Sequence, residues 1–300
     1  MTPDMSLSEL SPLTPWVQAC ALCLGCIIGS FLNVVVWRVP RGESLLHPPS
    51  HCPNCGHAIR PWENIPVVSW LLLRGRCSGC HQPISIRYPL GELATGLVYL
   101  AVFQAAMARG LPVAVIPGHF FLLGTLISVA QIDLRHRLVP DVVTLTGMAV
   151  ALLLALLLPD SHLRDGASLI TSAALRLLAG QGAGALPSPL LASGLDSLLG
   201  LAAGLLLLGP LATAGTVLAV RLRRPDLTVM GWGDVKCLMM LGAFLGPDAC
   251  LYILCAASCL GFAFGLLRLA VSRGRHGWSV PFAPFLSLAA LAWLLAGKCW

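Results

Sequence analysis

Long apolar stretches, separated by short polar segments, dominate the chain and predict membrane helices. Most of these stretches are long enough to cross a bilayer, because about 20 helical residues span the hydrocarbon core. They cover residues 16–37, 89–108, 111–132, 142–158, 196–220, 235–246, 249–271 and 281–297. The stretch at 235–246 is too short to span alone and is the least certain of the set. The pattern predicts an all-α, polytopic membrane bundle of about eight transmembrane helices.

Two longer segments interrupt this pattern and define the predicted domain organisation. Residues 39–88 are too polar and too rich in proline to cross a bilayer, so they predict a small loop domain outside it. Residues 159–195 contain glycines and prolines typical of a flexible loop, with a short surface helix predicted over 168–179. The other predicted segments are 1–38 with an external N-terminus and the first helix, 89–158 with helices two to four, and 196–300 with helices five to eight.

Composition and charge give the class and the orientation. Hydrophobic residues make up 57% of the chain and charged residues 11%, which excludes an ordinary soluble domain. Positively charged loops are retained in the cytoplasm during insertion. An external N-terminus satisfies this rule best, because it leaves only four of the 19 Lys and Arg residues outside. Those four are Arg109, Arg164, Arg176 and Lys298. Segment 39–88 is then cytoplasmic and segment 159–195 is external. The net charge of +6 reflects this topology, so we expect a lipid bilayer and no nucleic acid as partner.

Four cysteines in the cytoplasmic segment have the spacing of metal ligands. Cys52 and Cys55 form one CxxC pair, and Cys77 and Cys80 form a second. Two such pairs can hold one tetrahedral zinc ion in the closed arrangement of a structural site. A pair of disulfides is the alternative, but a reducing cytoplasm disfavours it. A loop of this size buries little core, so a metal would stabilise its fold.

Acidic residues at the ends of predicted spans are the candidates for catalysis. The chain has only 13 acidic residues, and a carboxylate at a membrane span is costly to keep. Asp141 and Asp234 each open a predicted helix, where an aspartate is commonly a cap. Asp133 ends a predicted helix, which is the unfavourable end of the helix dipole for a negative charge. All three lie on the predicted cytoplasmic side, so two carboxylates from distant parts of the chain could converge.

Several motifs along almost the whole chain resemble the type IV prepilin peptidase family, also called GxGD aspartic peptidases. Besides the two CxxC pairs, they are GSFLNVVVWRVPR at 29–41, NIPVVSWLLLRGRC at 64–77, ISIRYPLGELATG at 84–96, IDLRHRLVPD at 132–141, GWGDVK at 231–236 and VPFAPFLSL at 280–288. The chain departs from the family pattern in two places. Its 159–195 segment is longer than expected, and Ala283 replaces a glycine of the usual PFGPF element.

The resemblance implies a bifunctional enzyme of the bacterial inner membrane, with Asp133 and Asp234 as the catalytic residues. Its substrates would be type IV prepilins and pseudopilins, whose leader peptides are removed at the cytoplasmic face. Family members with the large cytoplasmic loop also methylate the new N-terminus with S-adenosylmethionine. The residues that bind this methyl donor are unknown. Glu43, Glu63 and Glu92 are candidate polar contacts for it, although structural roles are favoured for all three.

Two carboxyl groups held close together share one proton, so one can act as a base and the other as an acid. From helix dipoles we expect Asp234 to be the ionised partner and Asp133 the protonated one, because helix N-termini favour carboxylates and C-termini disfavour them. Three alternatives stay open at this point. They are a peptidase without methyltransferase activity, a proton-coupled transporter, and a zinc metallopeptidase, although no HExxH motif is present.

Overall fold

The computed structural model describes residues 14–159, 168–179, 188–223, 230–272 and 280–297, and in these ranges its regular structure is helical. The predicted external N-terminus, at 1–13, lies outside the described residues. The helices are α1 (Thr14–Arg38), α2 (Val68–Leu72), α3 (Arg87–Ala108), α4 (Val115–His136), α5 (Asp141–Leu157), α6 (Leu169–Ala179), α7 (Pro189–Arg221), α8 (Trp232–Leu245), α9 (Pro247–Ser272) and α10 (Ala283–Ala296).

The helices confirm the predicted all-α membrane architecture. Each of the eight apolar stretches is a helix, and α1, α3, α4, α7 and α9 are long and apolar enough to cross a membrane. Helices α5 and α10 are apolar but shorter. Helix α8, in the stretch predicted to be too short, has 14 residues. The protein is therefore a multi-pass membrane protein.

The segment predicted as a loop at 159–195 contains more helix than expected at its end. Helix α7 begins at Pro189, ahead of the expected start at 196, because proline fits the first helical position and its φ angle is already helical. The short helix predicted over 168–179 is confirmed as α6. Residues 160–167 and 180–187 of this segment lie outside the described residues.

Two acidic side chains hold the N-terminus of α6. The Asp196 carboxylate on α7 accepts hydrogen bonds from the Ser168 N–H, at 3.2 Å, and from the Thr171 hydroxyl, at 2.6 Å. Asp248 accepts the Leu169 N–H at 2.7 Å. These bonds satisfy backbone donors that the first turn of a helix leaves open. They anchor α6 to α7 and to the start of α9.

The chain divides into two compact units, an N-terminal unit (Met1–Leu111) and a C-terminal unit (Pro112–Trp300). In the N-terminal unit α1 packs closely along α3. A Cβ atom built on Gly25 would lie 2.7 Å from the Gly96 Cα, so only glycine permits this approach. The cysteine loop at 39–88 connects these two helices.

In the C-terminal unit the short helix α8 is enclosed by neighbouring helices. It packs against α5, α7, α9 and α10, and its residues Val235, Leu238 and Leu241 are fully buried. Gly200 of α7 and Gly242 of α8 lie in backbone contact, which leaves no space for a side chain on either. Because neighbouring helices surround it, α8 need not cross the bilayer itself, and its first turn can lie within the protein.

Candidate active site and metal site

Asp133 lies in the last turn of α4 with its side chain almost completely buried. The residue is 6% exposed, and its Oδ2 atom accepts the main-chain N–H of Ala283 at 3.2 Å. Helix α4 ends at His136, and the next residue, Arg137, adopts a left-handed φ of 53° and donates its N–H to the Asp133 carbonyl at 2.9 Å. This turn reverses the chain directly after Asp133 and leads it into α5.

Asp234 lies in the first turn of α8, three residues after the helix cap at Gly231. Its N–H donates to the Gly231 carbonyl at 3.2 Å. The preceding residue, Gly233, packs against Val139 in the turn between α4 and α5: a Cβ atom on Gly233 would lie 2.7 Å from the Val139 Cβ. This contact holds the start of α8 beside the end of α4.

The structure thus brings Asp133 and Asp234 together from positions 101 residues apart in the chain (234 minus 133). Asp133 is buried and Asp234 is partly buried, and the buried Cys237 follows Asp234 by about one helical turn. Two neighbouring carboxyl groups that are shielded from water can share a proton, which is the arrangement needed for paired acid and base chemistry.

Asp141, the third candidate, belongs to the surface of the same region. Its exposed carboxylate accepts a hydrogen bond from Lys236 Nζ at 2.7 Å, which joins the first turns of α5 and α8. Because Asp141 opens α5, we expected it to be a helix cap, but the structure shows no side-chain capping hydrogen bond at the start of this helix. The ion pair instead joins α8 to α5 two residues after Asp234.

Sequence reasoning missed the contact between Asp133 and Ala283. The prolines of the 280–288 motif indicate a helix start, but its partner 150 residues away is not encoded locally. The contact removes the basis for expecting Asp133 to be the protonated partner. Although Asp133 ends its own helix, its carboxylate faces the N-terminus of α10, so both acids lie at helix N-termini and the dipoles do not separate them.

The four loop cysteines form one compact cluster. Their Sγ atoms all lie within 4.8 Å of one another, with 3.9 Å between Cys52 and Cys80 and 4.0 Å between Cys55 and Cys77. A tetrahedral zinc site with Zn–S bonds of about 2.3 Å needs separations of about 3.8 Å, whereas a disulfide needs about 2.05 Å. The eleven described cysteines are free thiols. The cluster can therefore hold a metal ion.

The two halves of this cluster have matching backbone conformations. Cys52 donates its N–H to the His57 carbonyl and Cys77 donates to the Gln82 carbonyl, each at 2.9 Å. The residue after each second cysteine, Gly56 or His81, adopts a left-handed φ of 71° or 58°. Each CxxC sequence thus forms the same tight turn, and the two turns present their thiols to a common centre.

Hydrogen-bond donors around the cluster favour the thiolate forms that bind metals. The Gln82 N–H and the Asn54 amide lower the pKa of Cys80 to about 6. The N–H groups of Cys55 and Asn54 likewise lower the pKa of Cys52 below its ordinary value. Metal ligands of this kind must be deprotonated, so these turns prepare two of the four sulfurs for binding.

Two of the three glutamates considered for the methyl donor have structural contacts. Glu63 accepts the Arg60 N–H at 2.9 Å, and this bond, with the nearby Ser78 and His57, lowers its pKa. The buried Glu92 accepts the Val67 N–H at 2.8 Å and so supports a strained backbone at Val67, where φ is 62°. Glu43 is exposed.

Two protein families match consecutive parts of the chain. The Bacterial Peptidase A24 N-terminal domain family matches residues 23–106, and the type IV leader peptidase family matches residues 120–266. Thus the first match includes the cysteine cluster, and the second includes both Asp133 and Asp234. No solved structure gives a significant match to the chain.

Several curated relatives share about a third of their residues with this chain, and three of them carry the name prepilin leader peptidase/N-methyltransferase. The protein from Stutzerimonas stutzeri is 32% identical over 93% of this chain and 90% of its own length. The protein from Neisseria gonorrhoeae is 31% identical over 96% and 93%. The Myxococcus xanthus protein is 36% identical over 85% of this chain, which spans 63% of that relative's length. These matches establish that the chain belongs to the type IV leader peptidase family.

Proposed function

We propose that this protein removes the leader peptide of type IV prepilins and pseudopilins and then methylates the new N-terminal amine. The observation that carries the proposal is the contact of Gly233 with Val139, which places the start of α8, with Asp234, beside the end of α4, with Asp133. The names of the full-length relatives support both activities. In this proposal Asp133 and Asp234 are the catalytic residues of an aspartic endopeptidase.

Peptide cleavage follows from a carboxyl pair that holds one proton. The ionised carboxylate accepts a proton from a water molecule as the water oxygen bonds to the scissile carbonyl carbon, while the protonated carboxyl group donates its proton to the carbonyl oxygen. The tetrahedral intermediate then loses its C–N bond, and the departing amine takes the proton that came from the water. The carbonyl oxygen returns the other proton, so the pair ends in its initial state.

The site is proposed to lie at the cytoplasmic face of the bacterial inner membrane. The distribution of Lys and Arg residues supports this orientation, because it retains the end of α4 and the start of α5 on the cytoplasmic side. A substrate with a basic leader and an apolar helix could lie in the bilayer along the enzyme. Its leader junction would then be at the depth of Asp133 and Asp234.

Methyl transfer is proposed to use S-adenosylmethionine, whose methyl group passes to the new amine as a carbon–sulfur bond is exchanged for a carbon–nitrogen bond and a proton is released. The residues that bind this donor remain unassigned. One structural zinc ion held by Cys52, Cys55, Cys77 and Cys80 would stabilise the cytoplasmic loop. Four cysteine ligands leave no open coordination position, so the metal takes no part in cleavage.

Incubation of the purified protein with a prepilin, followed by mass spectrometry, tests the proposal. We expect loss of the leader, and with S-adenosylmethionine a further mass increase of one methyl group at the new N-terminus. Cleavage that persists after brief treatment with a chelator would exclude a metallopeptidase. Cleavage without the methyl group would indicate a peptidase alone, and absence of both reactions would favour a proton-coupled transporter.

A further inference from the structure

At the N-terminus of α10, one main-chain N–H group forms a hydrogen bond with Asp133. Ala283 is the first residue of this helix and is fully buried, and its N–H bonds Asp133 Oδ2 at 3.2 Å. Pro284 has no N–H, and the Phe285 N–H bonds the Phe282 carbonyl. Phe282, at the cap position, has no side-chain acceptor. Asp133 therefore takes the place of the missing cap.

A second contact fixes α10 against α4 one turn farther along. The Ser287 hydroxyl donates to the Leu126 carbonyl at 3.3 Å, and Leu286 beside it is fully buried. The two helices run antiparallel, so Leu126 lies opposite Ser287 and Asp133 lies opposite Ala283. The position of the Ala283 N–H relative to the carboxylate is thus set by packing over two turns.

We propose that the main-chain N–H of Ala283 is a positioning donor for Asp133, which holds Oδ2 in place and keeps Asp133 as the ionised member of the catalytic pair. The inference rests on the proposed peptidase function. A hydrogen bond donated to a carboxylate favours its ionised form. With Oδ2 engaged, Oδ1 is the oxygen that accepts the proton of water, and Asp234 carries the shared proton.

Few charged side chains lie near Asp133 in the part of the chain that the structure describes. Arg137 faces it from the end of α4, and Asp234 and Cys237 face it from α8. Lys236 of α8 and Asp141 of α5 bond each other. Helix α10 contains no ionisable side chain, so its backbone is its sole electrostatic contribution.

Replacing Ala283 by proline removes this donor, at the cost of some backbone strain, because Phe282 has α-region angles (φ −93°, ψ −32°) that are disfavoured before a proline. We expect Ala283→Pro to lower kcat/KM at neutral pH about tenfold and to move the acid limb of its pH profile about one to two units toward alkaline pH, because Asp133 then protonates more readily. The conservative variant Ala283→Gly keeps the N–H and should keep the acid limb in its original position.

If Ala283→Pro does not fold, incorporation of the α-hydroxy acid of alanine at position 283 replaces only the amide by an ester and gives the same expected shift. An unshifted acid limb in the folded proline or ester variant would overturn the proposal, since a purely structural bond would affect stability alone. The proposed peptidase function is tested separately. The peptidase proposal fails if the Asp133→Asn or Asp234→Asn protein still cleaves a prepilin. If both aspartate variants are inactive but the ester variant keeps the original acid limb, only the role of Ala283 is refuted.

Discussion

The backbone of Gly233 lies directly against the side chain of Val139, in the turn that follows Asp133 by six residues (139 minus 133). A Cβ atom on Gly233 would lie 2.7 Å from the Val139 Cβ and 3.3 Å from its Cγ2. Val139 is itself buried and β-branched, so it has little freedom to move. This contact sets the distance between the segments that carry the two aspartates.

Gly233→Ala should therefore displace the start of α8 and with it Asp234. Overpacking of this kind costs about 1–3 kcal/mol, and a misplacement of about 1 Å at a catalytic group can cost roughly a hundredfold in rate. We expect a loss of cleavage of about that size, measured as kcat/KM on a prepilin substrate.

Gly231→Ala is the matched control for this substitution, because its Cβ atom would meet Asp234 Oδ2 only at an ordinary contact distance of 4.0 Å. Its φ of −81° is also accessible to alanine. It should cost far less activity than Gly233→Ala. Equal losses of activity in the two variants would show that the contact between Gly233 and Val139 does not determine the cleavage rate.

Asp133→Asn and Asp234→Asn should each reduce cleavage about a thousandfold or more, because removal of either acid destroys the shared-proton pair. Asp141→Asn removes only an exposed ion pair with Lys236, worth about 0–1 kcal/mol, so we expect at most about a fivefold loss. Measuring the residual cleavage rate of each folded variant on one prepilin tests both expectations.

Given a substrate already trimmed to its mature N-terminus, folded Asp133→Asn and Asp234→Asn proteins should still transfer the methyl group, because this reaction needs a bound donor and a free amine. Methyl incorporation can be followed with a labelled donor. Loss of methylation together with cleavage would instead indicate that one site serves both reactions.

The purified protein should contain about one zinc ion per chain, measured by elemental analysis. Cys77→Ser should lose the metal and unfold the cytoplasmic loop, since structural zinc supplies about 10–16 kcal/mol of folding free energy in small domains. Cys20→Ser, on the exposed face of α1, should retain the zinc. A metal-free protein with protected disulfides among Cys52, Cys55, Cys77 and Cys80 would contradict the assignment.

A reporter enzyme that is active only outside the cytoplasm should work when it is fused after Arg176 and fail when it is fused after Arg60. The expectation follows from retention of Lys- and Arg-rich segments on the cytoplasmic side. The reverse pattern of activity would place the carboxyl pair on the opposite face of the membrane.

The amino-acid sequence determines the membrane architecture and the identity of the metal ligands. Apolar length alone predicts the helices, because each segment must satisfy its own backbone hydrogen bonds in lipid, and this predicted even the short α8. The two CxxC pairs are also local signals, since the turn within each pair is formed by adjacent residues.

Tertiary structure decides the relationships at the carboxyl pair. Sequence patterns indicated that Asp133 and Asp234 share one side of the membrane, but the contact of Gly233 with Val139 and the bond from Ala283 to Asp133 join segments that are far apart in the chain. The helix-dipole expectation considered only the helix that contains each acid. A buried carboxylate responds to every helix end that packs around it, and packing between distant segments is decided only when the whole unit folds.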